Sequence, residues 1–136
     1  MITIVGLDHL VLRTDKLDAM LNFYHRILGC RIERTLPALG LTQLRAGHAL
    51  IDLVTVESEL GQLGGKVPQQ NGRNIDHFCL QIKADSENEL LGYLHDHGIK
   101  TEPFVERYGA QGFGRSIYVT DPQGNIVELK PFKEPL

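Results

Sequence analysis

Two histidines and two carboxylates stand out for chemistry because each recurs in the same setting. His9 lies in Leu7-Asp8-His9-Leu10-Val11-Leu12 and His77 in Ile75-Asp76-His77-Phe78-Cys79-Leu80. The shared pattern is apolar-Asp-His-apolar-x-Leu, at an offset of 77 − 9 = 68 residues. Asp52 interrupts the run Leu50-Ile51-Asp52-Leu53-Val54 and Glu128 interrupts Ile126-Val127-Glu128-Leu129, an offset of 128 − 52 = 76 residues. An ionised carboxylate inside an apolar strand is costly unless it is paired or bound to a metal. Two imidazoles and two carboxylates make a mixed nitrogen and oxygen donor set. It suits one divalent ion (Zn, Ni, Co, Mn or Fe) and leaves positions for water and substrate. A lone strand histidine is more commonly a hydrogen-bonded core residue, and a carboxylate on a solvated sheet face is ordinary. The repetition in register is what favours a metal.

The elements that must position these groups also repeat. After the first Asp-His, apolar Leu17, Met20, Leu21, Tyr24, Ile27 and Leu28 fall at helical spacing. Thr14 or Asp15 is a candidate N-cap for this helix, and Gly29 stands at its C-terminal end. The second copy predicts a helix from Ser86 to His97, with Leu90, Leu91 and Leu94 as its stripe. Ser86 with Glu89 has capping-box spacing, and Gly98 follows. Three strands are expected after each helix. They are Cys30–Leu36, Gly40–Arg45 and His48–Val56 in the first half, and Lys100–Glu106, Gly114–Thr120 and Asn125–Pro131 in the second. Each half therefore reads βαβββ, an α+β chain of two modules at about 4–56 and 74–132, joined by a Gly- and Gln-rich connection at 57–73. Period-two alternation places His9, Val11 and Arg13, and likewise His77, Cys79 and Gln81, on the face away from the helices. The run Tyr108-Gly109-Ala110-Gln111-Gly112-Phe113-Gly114 reads either as a lid over a site or as a loop that needs positive φ.

Composition excludes several classes. The chain has 136 residues and a net charge of -3, which speaks against a nucleic-acid binder. No apolar run approaches the roughly 18 residues of a membrane span. The start, Met1-Ile2-Thr3-Ile4, has no basic n-region, so no secretory signal is expected and the expected location is cytoplasmic. The two cysteines, Cys30 and Cys79, are too few for a disulfide scaffold and read as inert buried thiols. His25, His48, His95 and His97 read as structural or surface residues. There is no Walker loop or nucleophile elbow, and the glycines at 109–114 precede a strand, unlike a dinucleotide fingerprint.

Asp8-His9-Leu10-Val11-Leu12, Phe23-Tyr24-His25-Arg26-Ile27-Leu28-Gly29 and Asp121-Pro122-Gln123-Gly124-Asn125-Ile126-Val127-Glu128 together resemble the vicinal oxygen chelate superfamily. That superfamily includes glyoxalase I, fosfomycin-resistance proteins, extradiol dioxygenases and bleomycin-binding proteins. The resemblance spans about Val5 to Phe132 and implies two βαβββ modules curled around one divalent metal. It implies His9, His77 and Glu128 as ligands. Asp52 stands where glyoxalase I has its first glutamate ligand, one methylene shorter. Glu128 or Asp52 would also shuttle a proton. Arg13 matches an arginine that glyoxalase I uses for a glutathione carboxylate, and Tyr118 matches a tyrosine of fosfomycin-transferring relatives, although Val11 replaces their threonine. Small glyoxalase-domain proteins, with the loop seen here as Arg107-Tyr108-Gly109-Ala110-Gln111-Gly112, look most similar. The implied activity is a glyoxalase I-like lyase or isomerase acting on a small oxygenated substrate. The alternatives are an Fe(II) extradiol dioxygenase using His9, His77 and Glu128, or a drug-binding resistance protein. A homodimer is expected, because two curled sheets leave open edges.

Overall fold

A computed structural model describes residues 1–135. The chain forms two compact units, Met1–Gln69 and Gln70 onward, and their boundary falls inside the connection expected at 57–73. The first unit contains β1 (His9–Thr14), α1 (Leu17–Leu21), β2 (Arg31–Leu36), β3 (Leu41–Ala46), β4 (Ala49–Thr55) and the short α2 (Glu59–Gln62). The second contains β5 (Phe78–Ile82), α3 (Glu87–Asp96), β6 (Val105–Gly109), β7 (Gly112–Thr120) and β8 (Ile126–Pro131). Each unit has a four-stranded mixed sheet, ordered β1-β4-β3-β2 and β5-β8-β7-β6. In both, the first strand lies parallel to the last and the remaining pairs are antiparallel. The expected βαβββ order is present twice.

One face of each sheet carries its core. In the first unit Leu12 pairs with Leu53 and Leu44 with Ile51, and all four are buried with Met20, Phe23 and Tyr24 of the helix. In the second, Leu94 is the fully buried helix residue, among Ile117, Val119, Val127 and Leu129. Fully burying one such side chain contributes about 1.5–3 kcal/mol.

Several boundaries differ from those expected. The first helix is α-helical only to Leu21, and Asn22–Ile27 continue as a π-helix, with Leu28 N–H donating to Phe23 O at 2.9 Å. The wider turn accompanies burial of both neighbouring aromatics, Phe23 and Tyr24, whose rings meet edge-to-face at 4.8 Å. Its N-cap is Lys16 with no side-chain cap bond, because Thr14 ends β1 and its hydroxyl accepts from the Lys16 N–H at 2.8 Å. The Ser86 cap is as expected: its hydroxyl accepts from Glu89 N–H at 3.1 Å.

β6 starts later than expected and runs through the stretch read as a lid or loop. Tyr108 pairs with Phe113 and Gly109 with Gly112, so Ala110 and Gln111 form a tight turn. Gly112 closes that turn at φ 84°, a conformation other residues rarely adopt. The connection is not featureless either. It forms α2, capped by the Ser58 hydroxyl accepting from Gly61 N–H at 3.0 Å.

Candidate metal centre

In the second unit β8 brings Glu128 opposite Cys79 of β5 and Tyr118 of β7. His77 stands two residues before Cys79, immediately ahead of β5. Its Nδ1 lies 2.7 Å from Asp76 Oδ2, and its Nε2 lies 3.2 Å from Glu128 Oε1. The contact with His77 holds the Asp76 carboxyl below its ordinary value, so Asp76 is an ionised acceptor that places a proton on Nδ1. In neutral His77 this leaves the Nε2 lone pair aimed at a carboxylate oxygen. Two acceptors so placed can share a cation, since two donors of one ion with bonds near 2.1 Å sit roughly 3 Å apart, whereas an Nε2-protonated imidazole donates to Glu128 itself.

The other Glu128 oxygen is held from the opposite side. Ser116 Oγ donates to Glu128 Oε2 at 2.7 Å. Arg107 Nη1 donates to Ser116 Oγ at 3.0 Å and to Ser116 O at 2.7 Å. A guanidinium only donates, so the serine proton must point to Glu128. Arg107 also lies 4.1 Å over the Tyr118 ring, whose other neighbour is the His77 ring at 5.1 Å. Lys130, two residues beyond Glu128 and buried, donates to Arg107 O at 2.8 Å and Gly112 O at 3.0 Å, pinning the β6–β7 hairpin.

The first unit repeats the register. Asp52 of β4 lies opposite Val11 of β1 and Gln43 of β3, and His9 again stands two residues before Val11. His9 Nδ1 lies 2.6 Å from Asp8 Oδ2. That hydrogen bond, against partial desolvation and with help from the charge of Asp52, raises the His9 imidazolium above its ordinary value. Asp52 is only 4% exposed, and its Oδ2 accepts from Gln43 Nε2 at 3.1 Å. Its Oδ1 and Gln43 Oε1 are buried with no partner among the described residues. An orphaned carboxylate oxygen beside an imidazole fits a bound cation. Each unit thus carries a histidine and a carboxylate in the same register, with a contact of 3.2 Å between His77 and Glu128, and among the described residues no group of three or more His, Cys, Asp or Glu forms a metal cluster.

Arg13 sits on the expected face, but its guanidinium donates to three carbonyls: Gly61 O at 2.9 Å, Lys66 O at 2.9 Å and Gly65 O at 2.5 Å. Gly64 permits this close approach, since a Cβ there would lie 2.3 Å from Arg13 Nε. Cys30 is buried as expected, and burial pushes its thiol up to about 11. Cys79 corrects the expectation of two buried thiols. It is an exposed residue beside Glu128, and desolvation followed by that charge raises its thiol to about 11. His25, His95 and His97 make local bonds to Cys30 O, Thr101 Oγ1 and Tyr93 O, in keeping with structural roles. The sequence alone gives no site role to Asp8, Asp76, Gln43, Arg107 or Ser116. The Asp of each Asp-His pair was a visible signal for two of them, whereas Gln43 and Ser116 gain meaning only through register.

Comparison with known proteins completes this picture. The Glyoxalase/Bleomycin resistance protein/Dioxygenase superfamily matches residues 6–129. The chain is 29% identical over 140 residues to the glyoxalase domain-containing protein RDO1 of Mycosarcoma maydis, covering 98% of this chain and 72% of that protein. It is 29% identical over 128 residues to biphenyl-2,3-diol 1,2-dioxygenase 3 of Rhodococcus globerulus, covering 91% of this chain and 62% of the dioxygenase. The crystal structure of lactoylglutathione lyase from Agrobacterium tumefaciens superposes with a TM-score of 0.66 at 25% identity, covering 93% of each chain. With its doubled βαβββ architecture and this match over nearly its whole length, the chain belongs to the glyoxalase/bleomycin resistance protein/dioxygenase superfamily.

Proposed function

We propose that the protein is a divalent-metal-dependent, glyoxalase I-like lyase or isomerase for a small oxygenated substrate, thiol-conjugated or not. His9, Asp52, His77 and Glu128 are the metal donors in this reading. The observation that carries it is the identical register of the two histidine–carboxylate pairs, each histidine backed by its own aspartate. A divalent cation, when bound, supplies Lewis acidity toward adjacent oxygens of a substrate. Asp8 and Asp76 orient the imidazoles through Nδ1, as carboxylates behind metal-ligating histidines commonly do. Glu128 is the better proton carrier of the two carboxylates. Its Oε2 accepts from Ser116 and its Oε1 faces His77, whereas Asp52 Oδ1 has no partner among the described residues. Tyr118, held between Arg107 and His77, lines the substrate side, and Arg13 retains N–H donors beyond the three given to carbonyls for a substrate carboxylate.

Elemental analysis after loading with Zn, Ni, Co, Mn or Fe(II), followed by assay of hemithioacetal isomerisation, tests this reading. No stoichiometric ion in wild type, or full activity in His77→Ala, would sink it. The similarity to a biphenyl-diol dioxygenase supports a second reading, an Fe(II) extradiol dioxygenase using His9, His77 and Glu128. Oxygen uptake with catechols under Fe(II) separates the two, because isomerisation consumes none.

The exposed aliphatics Ile2, Ile4, Val5 and Leu7, together with the unpaired outer edge of β1, support a homodimer. Mixing a His9→Ala chain with a His77→Ala chain asks whether the pairs serving one ion come from one chain or from two. The free thiols accord with a reducing, cytoplasmic setting, and no helix among the described residues is long and apolar enough to cross a membrane.

A further inference from the structure

We propose that Gln43 belongs to the cation-binding apparatus: its amide oxygen and Asp52 Oδ1 form a two-oxygen cradle for a hard divalent cation. The inference rests on the metal-dependent reading above and adds a donor that neither the repeat nor the comparisons single out. Gln43 and Asp52 are register partners on β3 and β4, on the same face as His9 and Val11. The bond from Gln43 Nε2 to Asp52 Oδ2 at 3.1 Å fixes which end of the amide is which. Turning the amide over would set an acceptor against a carboxylate oxygen, so Oε1 must be the end left over. Gln43 Oε1 and Asp52 Oδ1 are then two buried acceptors, and neither meets a donor among the described residues. Both are acceptors, so a cation or donors from outside the described residues must satisfy them.

The second unit isolates the feature. The residue opposite Glu128 is Tyr118, which has no carbonyl, and Ser116 already satisfies the spare oxygen of Glu128. Each unit thus offers an imidazole, and beside it the first offers carboxylate and amide oxygens where the second offers a single carboxylate oxygen. Carboxylate and carbonyl oxygens suit Mn(II) and Mg(II) better than Zn(II), so the cradle biases the protein toward the harder ion.

The test is calorimetric titration of the full, chelator-stripped chain with MnCl2 and with ZnCl2. Gln43→Met should raise the Kd for Mn(II) about tenfold or more and that for Zn(II) by less than about threefold. Unchanged Mn(II) affinity in Gln43→Met, with a shifted metal-free melting temperature, means that water fills the cradle and overturns the inference while leaving metal dependence intact. A wild-type chain that takes up neither ion defeats the metal reading itself, and the cradle with it. Should Gln43→Met not fold, substoichiometric Mn(II) added to 15N-labelled wild type decides: the Gln43 side-chain amide signals should broaden before those of other glutamines, and their persistence overturns the proposal.

Discussion

Glu128 in the second unit receives a serine proton on one oxygen and faces an imidazole on the other, while Asp52 in the first receives a single amide proton and keeps one oxygen bare. Strand order and register are shared, so the difference lies in the partners on the neighbouring strands. A buried carboxylate oxygen with a donor in place, as Ser116 gives Glu128 Oε2, is satisfied before any ligand arrives. One with an orphaned oxygen carries an unmet desolvation cost that a bound cation can offset. The second unit therefore holds one oxygen of its carboxylate with a donor from its own chain, and the first leaves one oxygen of its carboxylate without one.

The largest effect expected from breaking this comparison is on metal affinity. His77→Ala and Glu128→Ala should each weaken divalent-ion binding about a hundredfold or more, read by competition with a chelating dye. Next comes Ser116→Ala in chelator-treated protein. It leaves Glu128 Oε2 buried without its donor, so stability should fall by about 1–3 kcal/mol in denaturant unfolding. Asp52→Asn should act with the opposite sign under the same conditions. It removes a buried charge that lacks a full set of donors, so metal-free stability should rise by about 1 kcal/mol while metal affinity drops. If both substitutions destabilise equally, the contrast between the units is wrong.

The smallest effect concerns surface pairs that the two units share in kind. Arg45 holds Glu33 in the first unit, and Arg115 holds Glu87 in the second at 2.7 Å, each keeping its carboxyl below the ordinary value. A depressed carboxyl adds stability above its unfolded pKa and loses it as pH falls through the folded one. Arg115→Ala should therefore flatten the acid limb of stability slightly below about pH 4.5, and added salt should do the same to wild type. An unaltered acid limb in both experiments would show the pair to be inert.

Much of the architecture was legible because its signals are local. Alternation placed Leu10 and Leu12 toward the helix and His9 away, and Ser86 with Glu89 announced the start of α3. The β6–β7 hairpin was misread for a physical reason. Glycines at 109, 112 and 114 look like a mobile loop, yet Gly109 and Gly114 also leave room for the Lys130 side chain, which a Cβ at Gly109 would approach to 2.9 Å. Arg13 was legible as a cation on the site face, but the carbonyls that hold it come from residues 61–66, about fifty positions away.

What the sequence determined by itself is the doubled unit, the face each side chain takes and the types of donor available. These follow from the two-residue period of a strand and from the cost of a carboxylate among aliphatics. What only the tertiary structure decided is which groups meet those carboxylates. Gln43 reaches Asp52 across nine positions and Ser116 reaches Glu128 across twelve, through hairpin registers in which a one-residue slip would turn every partner to the other face. The orphaned oxygens in the first unit and the serine-held oxygen in the second are consequences of that register, which no single strand encodes.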